Sequence, residues 1–242
     1  MSYFVFNSTS SEELGIKIRS KNIYSLPKYD ASLISVPGRD GDLISPNNRL
    51  GNVNLSYTCY VPAKTIDELN TKIRNIKKWL YSGLGQYHIL YDSYDSNFFS
   101  KATYISKLDI ADQLNKIGTM TITFSCMPYK YSYEGQELVT LNTSSNIFNP
   151  YPFESKPYIK LYGSGTCTLK IDNNGSFKIW TFSSVSGYVE IDSEMMNFFK
   201  DTVLKNDTVV GDGFPAFGAG LNSVTIGGGT TKLEIIPRWR CL

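Results

Sequence analysis

Histidine is almost absent from this 242-residue chain: there is one, His88, in the run QYHILYD. A Ser-His-Asp or Cys-His arrangement would have to use it, and no G-x-S-x-G nucleophile elbow accompanies it. A histidine-based metal site would need ligands arriving from elsewhere, because no local ligand spacing surrounds His88. We read it as a partly buried strand residue, and expect no catalytic residue, no metal and no cofactor. Cysteine is also sparse: four residues, widely spread, with no C-x-x-C pair. Cys59, Cys126 and Cys167 each fall on the apolar side of an alternating run, which predicts buried free thiols and folding in a reducing cytoplasm. No apolar stretch approaches the roughly 20 residues of a membrane helix. The N-terminal MSYFVFNSTSSEELG lacks the basic start and long apolar run of a secretory signal. Without a secretory route, the N-x-S/T sequons at Asn7, Asn142, Asn174 and Asn206 carry no meaning. One-sided charge is missing as well, 24 basic residues against 22 acidic, so nothing argues for nucleic acid or an anionic membrane as partner.

The remaining chemical signals are weak. Asp40/Asp42, Asp92/Asp95 and Asp109/Asp112 are carboxylate pairs of the kind a glycosidase sets across a sugar, but 22 acids in a β-rich chain produce such pairs by chance. Asp40-Gly41-Asp42 lacks the other ligands of a calcium loop. Gly163-Ser164-Gly165 and Gly227–Lys232 lead into strands, leaving no helix N-terminus to hold a phosphate, and read as hairpin turns. Trp180 and Tyr188 are the candidates for stacking on a sugar ring, although core aromatics are the commoner outcome.

What is present is β-forming sequence. Tyrosine is abundant, with 17 residues, and suits half-buried sheet faces and interfaces. Residues 1–25 read as one or two strands around a turn at Ser10–Glu13. Residues 26–50 hold three prolines and the turn-forming run P-G-R-D-G, and predict an exposed extended arm with a tight turn. Asn52–Val61 alternates as a strand. One amphipathic helix is predicted over 66–82, with Thr65 and Glu68 as a capping box, Ile66, Leu69, Ile73, Ile76 and Leu80 on one face, and Gly83 at its end. It should lie on a sheet. Strands follow near 86–92, 101–110 and 118–126. The segment from Tyr129 to Pro157 changes texture, with prolines and many Ser, Thr and Asn. We place a boundary there, giving an N-terminal β domain over 1–131 and a second domain over 132–242. In the latter, Asn173-Asn174-Gly175 predicts a hairpin turn, while Ser186-Gly187 and Gly227–Gly229 are read as separating further short strands of a β-sandwich.

The ordered motifs resemble the distal tail proteins of long, non-contractile-tailed phages that infect Gram-positive bacteria. They are V-P-G-R-D-G (Val36 to Gly41), a helix ending in K-W-L (Lys78 to Leu80), H-I-L-Y-D (His88 to Asp92) and F-S-C-M-P-Y (Phe124 to Tyr129). P-Y-I-K-L-Y-G-S-G (Pro157 to Gly165), Y-V-E-I-D-S (Tyr188 to Ser193) and the run Gly211 to Ile226 follow, before a final I-I-P-R-W strand. The resemblance implies a mainly β fold: a β-barrel-like sheet with one helix, then a galectin-like β-sandwich. It implies a homo-hexameric ring at the virion tail tip, made in the host cytoplasm. That ring joins the tail tube protein to a tail-associated hub or lysin protein and, in many phages, carries receptor-binding proteins. It implies no catalytic residue. A closed ring needs identical heterologous contacts, and an extended arm can add backbone hydrogen bonds to a neighbour's sheet edge. We therefore expect Pro37, Gly38, Arg39, Asp40 and Gly41 at a subunit contact. The competing readings are a carbohydrate-binding, lectin-like module and, behind it, a glycosidase.

Overall fold

The computed structural model describes residues 2–242. The described residues divide into two compact units, 2–130 with 242, and 131–241.

The first unit is built on one strongly curved antiparallel sheet. Its strands are β1 (Phe4–Phe6), β2 (Thr9–Ser10), β3 (Lys17–Asn22), β6 (Val53–Pro62), β7 (His88–Asp92), β8 (Phe98–Thr103), β9 (Ile110–Gln113) and β10 (Ile117–Ser132). They run in the order β2-β1-β7-β8-β10-β6-β3, with β9 also on β10. The edge strands β2 and β3 are neighbours in sequence. Their link is tightened by bonds from Gly15 N to Glu12 O and from Ile16 N to Ser11 O, both 2.9 Å, so the sheet curls until its edges approach. Alternation explains the central pair. Val53, Leu55, Tyr57, Cys59 and Val61 of β6 turn inward, opposite Cys126, Phe124, Ile122, Met120 and Gly118 of β10. Phe4, Phe6, Tyr57, Trp79 and Phe124 form the aromatic centre, with Phe4 and Tyr57 stacked at 4.2 Å. Burial pushes the Cys59 and Cys126 thiols up to about 12, as expected of inert core cysteines.

The helix α1 (Ile66–Leu80) buries Leu69, Ile76, Trp79 and Leu80. Thr65 Oγ1 accepts from Glu68 N at 3.2 Å, while Glu68 Oε2 accepts from Lys64 N at 2.8 Å, one residue before the position that the capping box predicts. Ile66, assigned to the buried face by periodicity, is 49% exposed at the first position of the helix. Gly83 takes φ +78°, which suits glycine just past a helix end. The strand expected over 101–110 is displaced: β8 ends at Thr103, and a loop separates it from β9. The turn expected at Ser10–Glu13 spans residues 11–15, and a further turn, at Asn7 and Ser8 with positive φ values, reverses β1 into β2.

Residues 29–50 stand apart from that sheet. β4 (Tyr29–Ile34) and β5 (Leu43–Leu50) pair only with each other among the described residues.

The second unit corrects the expectation of many short strands. Its framework is three long ones, β13 (Tyr158–Asn173), β14 (Ser176–Asp192) and β18 (Gly220–Ile236), with β13 in the middle. Short strands β11 (Val139–Leu141) and β12 (Ser145–Asn149) flank β18, and β15 (Asn197–Lys200), β16 (Val203–Leu204) and β17 (Val209–Gly211) lie on the other side. Asn174-Gly175 forms the expected two-residue turn, with φ values of 53° and 86°. By contrast, Ser186-Gly187 lies inside β14, Gly227–Gly229 inside β18, and Gly163–Gly165 inside β13. The pairing shifts at one level, around 163–167 of β13, 183–185 of β14 and 228–232 of β18. There the backbones come very close: a Cβ on Gly163 would lie 2.5 Å from Gly229 O, and one on Gly229 would lie 1.8 Å from Ser164 O. These glycines permit bulges within continuous strands rather than ends between strands. Both halves of the long strands, Ile159 and Leu161 before the bulge and Leu169 and Ile171 after it, contribute to one buried core with Trp180, Phe182, Phe217 and Trp239.

Candidate assembly interface

The hairpin of β4 and β5 is the most exposed ordered feature of the first unit. At its tip Arg39 N donates to Val36 O at 3.2 Å, with Pro37 and Gly38 between them. Proline at the second position and glycine with φ +80° at the third are the requirements of a type II turn. Gly41, also at φ +80°, redirects the chain into β5. Pro37, Gly38, Arg39, Asp40 and Gly41 thus form one contiguous loop, and all five are exposed.

Register decides what each face of the ribbon carries, since directly opposed residues share a face. Leu33 opposes Ile44 and Ala31 opposes Pro46; with Tyr29 in the same phase and Leu50 opposite it, one face is apolar. The other face pairs Ile34 with Leu43 and Ser32 with Ser45. It ends in Asp30, which accepts from Asn47 Nδ2 at 3.0 Å and meets Arg49 Nε at 3.2 Å. Asn47 and Asn48 are the bulge residues, Asn48 at φ 52°, and Gly51 N donates to Lys28 O at 2.9 Å at the base. Leu33 is 67% exposed and Ile44 64%. A lone two-stranded ribbon is marginal in water, and a row of large apolar side chains without cover is the pattern of a surface that associates. The prolines and the P-G-R-D-G run revealed the arm. Its apolar face was also readable, in the alternation Tyr29, Ala31, Leu33, but only with knowledge of the pairing.

The other candidates from sequence are accounted for by local packing. His88 Nε2 lies 2.9 Å from Gly83 O, and its ring packs edge-on against Phe6. Asp92 and Asp95 each face a lysine: Asp92 Oδ1 sits 2.5 Å from Lys21 Nζ, and Asp95 Oδ2 sits 2.6 Å from Lys130 Nζ. Burial first, then the Asp92 carboxylate, holds the Tyr57 phenol far above its usual range. Asp40 and Asp42 lie on the exposed tip, and Asp109 pairs with Lys107. Among the described residues, no group of three or more His, Cys, Asp and Glu side chains is arranged to hold a metal.

The two aromatics considered for sugar stacking part company. Trp180 is 1% exposed, its Nε1 donating to Gly213 O at 2.9 Å, so it belongs to the core. Tyr188 stands on the outer face of the second unit's sheet, but its ring is already occupied. Lys160 Nζ lies 3.9 Å and Lys200 Nζ 5.0 Å from its centroid, and its hydroxyl donates to Asp201. Tyr162 beside it is treated alike, with Lys232 at 4.1 Å from the ring and Glu234 accepting from the hydroxyl at 2.7 Å.

Residues 10–126 match the family model described as the phage tail protein RIFT-related domain, a stretch that holds the helix, the hairpin and the first unit's sheet apart from β1, the start of β2 and the end of β10. The whole chain shares its fold with the solved SPP1 Dit (gp 19.1) protein, described as a paradigm of the hub adsorption apparatus in phages infecting Gram-positive bacteria. The TM-score is 0.75 at 13% identity, with 100% of each chain covered. A chain of the phage P2 baseplate, in its activated conformation with Ca, is similar at a TM-score of 0.51 and 8% identity, over 97% of this chain and 96% of that one. No curated protein matches in sequence.

Proposed function

We propose that this chain is a structural distal tail or hub protein of a phage tail, assembling as a closed ring of six copies at the tail tip. The ring joins the tail tube to a tail-associated hub or lysin protein and supports receptor-binding proteins. The full-length likeness of fold to a hub adsorption protein, together with the phage-tail domain over 10–126, supports a structural rather than a catalytic role. The observation that carries the assembly reading is the β4–β5 ribbon, with its apolar face and its open backbone edges. A neighbouring subunit supplies what the ribbon lacks, cover for Leu33 and Ile44 and partners for the free edges. Pro37, Gly38, Arg39, Asp40 and Gly41 lie at or beside that contact. The lectin reading loses its best residue with the burial of Trp180.

The test is light scattering over a concentration series, on the full chain and on a variant lacking residues 35–45. Association of the full chain and a folded monomer for the deletion are expected. A ring that survives the deletion refutes the proposed contact.

A further inference from the structure

The second unit has a gap in its sheet. One edge of β14 is covered by β17 at Trp180–Phe182 and by β15 at Glu190–Asp192. From Ser183 to Val189 no strand lies on that edge among the described residues, although the opposite edge stays paired with β13 from Val185 onward. A concavity of about 190 Å³ occupies the gap. Its floor is the core itself, Phe182, Val185 and Val189, each less than 9% exposed, and its mouth carries Lys200 and Lys205. Lys200 Nζ donates to Ser186 O at 2.6 Å, so this carbonyl turns outward into the gap, and a flexible ammonium stands where a backbone N–H would stand in a paired sheet. Ser183 and Ser184, the bulge residues, lie against the groove with Ser184 at φ 55°.

We propose that this gap is a docking groove for an extended, acidic peptide segment of a partner protein, which adds to β14 as a short strand between β15 and β17. An incoming N–H replaces Lys200 at the Ser186 carbonyl. The released ammonium, with that of Lys205, then pairs with carboxylates of the peptide, and an alternate apolar side chain covers Phe182, Val185 and Val189. Each element of the groove fits this occupant: exposed backbone for backbone, an apolar floor for every second side chain, and two cations for acidic residues. A lysine lying along an open edge also keeps a sheet from pairing indiscriminately, which makes the site selective for a strand that brings its own negative charge. The inference is independent of the ring, since the groove is in the second unit and the hairpin in the first.

The full chain, immobilised, is used to select from a displayed library of random heptapeptides, with K200E/K205E as the counter-selection. Both lysines lie at the mouth of the groove rather than in the core, and equal thermal midpoints check that the variant is folded. Enriched peptides should combine acidic residues with alternating apolar ones, and bind the variant at least tenfold more weakly. They should lose binding when alternate amides are N-methylated, and should slow amide exchange at 183–189. The inference is overturned if no sequence is enriched over the variant, if binding tolerates N-methylation at every position, or if the slowed exchange falls elsewhere. A phosphorylated oligosaccharide that binds through the same lysines where no peptide does would make this an anion site for glycans, and would equally overturn it.

Discussion

The double substitution Leu33→Ala and Ile44→Ala puts the ribbon to a quantitative test. The two side chains oppose each other on one face, and roughly two-thirds of each is open to water in the single chain. Fully burying a Leu or Ile side chain contributes about 1.5–3 kcal/mol. If a neighbouring subunit covers the exposed two-thirds, each residue adds about 1–2 kcal/mol to the contact, and the pair about 2–4 kcal/mol. That corresponds to a contact weakened roughly 30- to 1000-fold. Within one subunit the same substitutions remove little packing, so the stability of the monomer should change by less than about 0.5 kcal/mol per site, as for other surface positions. Light scattering over a dilution series reads the first effect, and thermal or urea unfolding under dissociating conditions reads the second. Unchanged association by a folded variant would show that the apolar face is not in the contact. A fall of several kcal/mol in monomer stability would place the two side chains in an internal core instead.

Thr65→Ala removes the acceptor for Glu68 N and should lower stability by about 1 kcal/mol, read by urea unfolding, with Thr65→Ser largely retaining it. Asp192 gives a pH dependence. Its burial favours the neutral acid, but the Arg238 fork at 2.8 and 3.0 Å, aided by the backbone N–H groups of Met195 and Glu194, outweighs burial and holds the carboxyl below its ordinary value. A depressed native pKa means stabilisation that is complete above the unfolded value, near 4, and lost as pH falls through the native one. The acid limb of a stability–pH curve should therefore flatten in Arg238→Gln, and an unchanged acid limb would contradict this assignment.

The residues differ in how far they disclosed the structure. The helix was legible because its signals are local: a cap at Thr65, a 3.6-residue stripe and a glycine at 83 all agree. Strands β6 and β10 were legible because one face of each is buried and alternation survives. The long strands of the second unit were not. Gly163, Gly187 and Gly227–Gly229 look like turn residues in a sequence, yet each sits inside a strand. A glycine that reverses a chain and one that makes room for a neighbouring backbone leave the same mark, and only the tertiary partner distinguishes them. For the same reason the gap along β14 was invisible: an edge is defined by the strands that stop short of it, here β15 and β17, and not by its own residues. The arm at 26–50 was partly legible, its exposure written in proline and glycine, its two faces fixed only by the pairing of Leu33 with Ile44.

The central place of β13 has a consequence for the order of synthesis. β14 follows it through a two-residue turn and can pair at once, but its other neighbour, β18, begins at Gly220 and ends at Ile236. Strands β11 and β12, made before β13, also pair only with β18. At ordinary translation rates the nascent chain therefore carries a half-built sheet for on the order of seconds, with Ile159, Leu161 and Leu169 uncovered, before the strand that closes it leaves the ribosome. Slowing synthesis between residues 193 and 220 should lengthen that interval and raise the demand for chaperones, without altering a single contact of the finished fold.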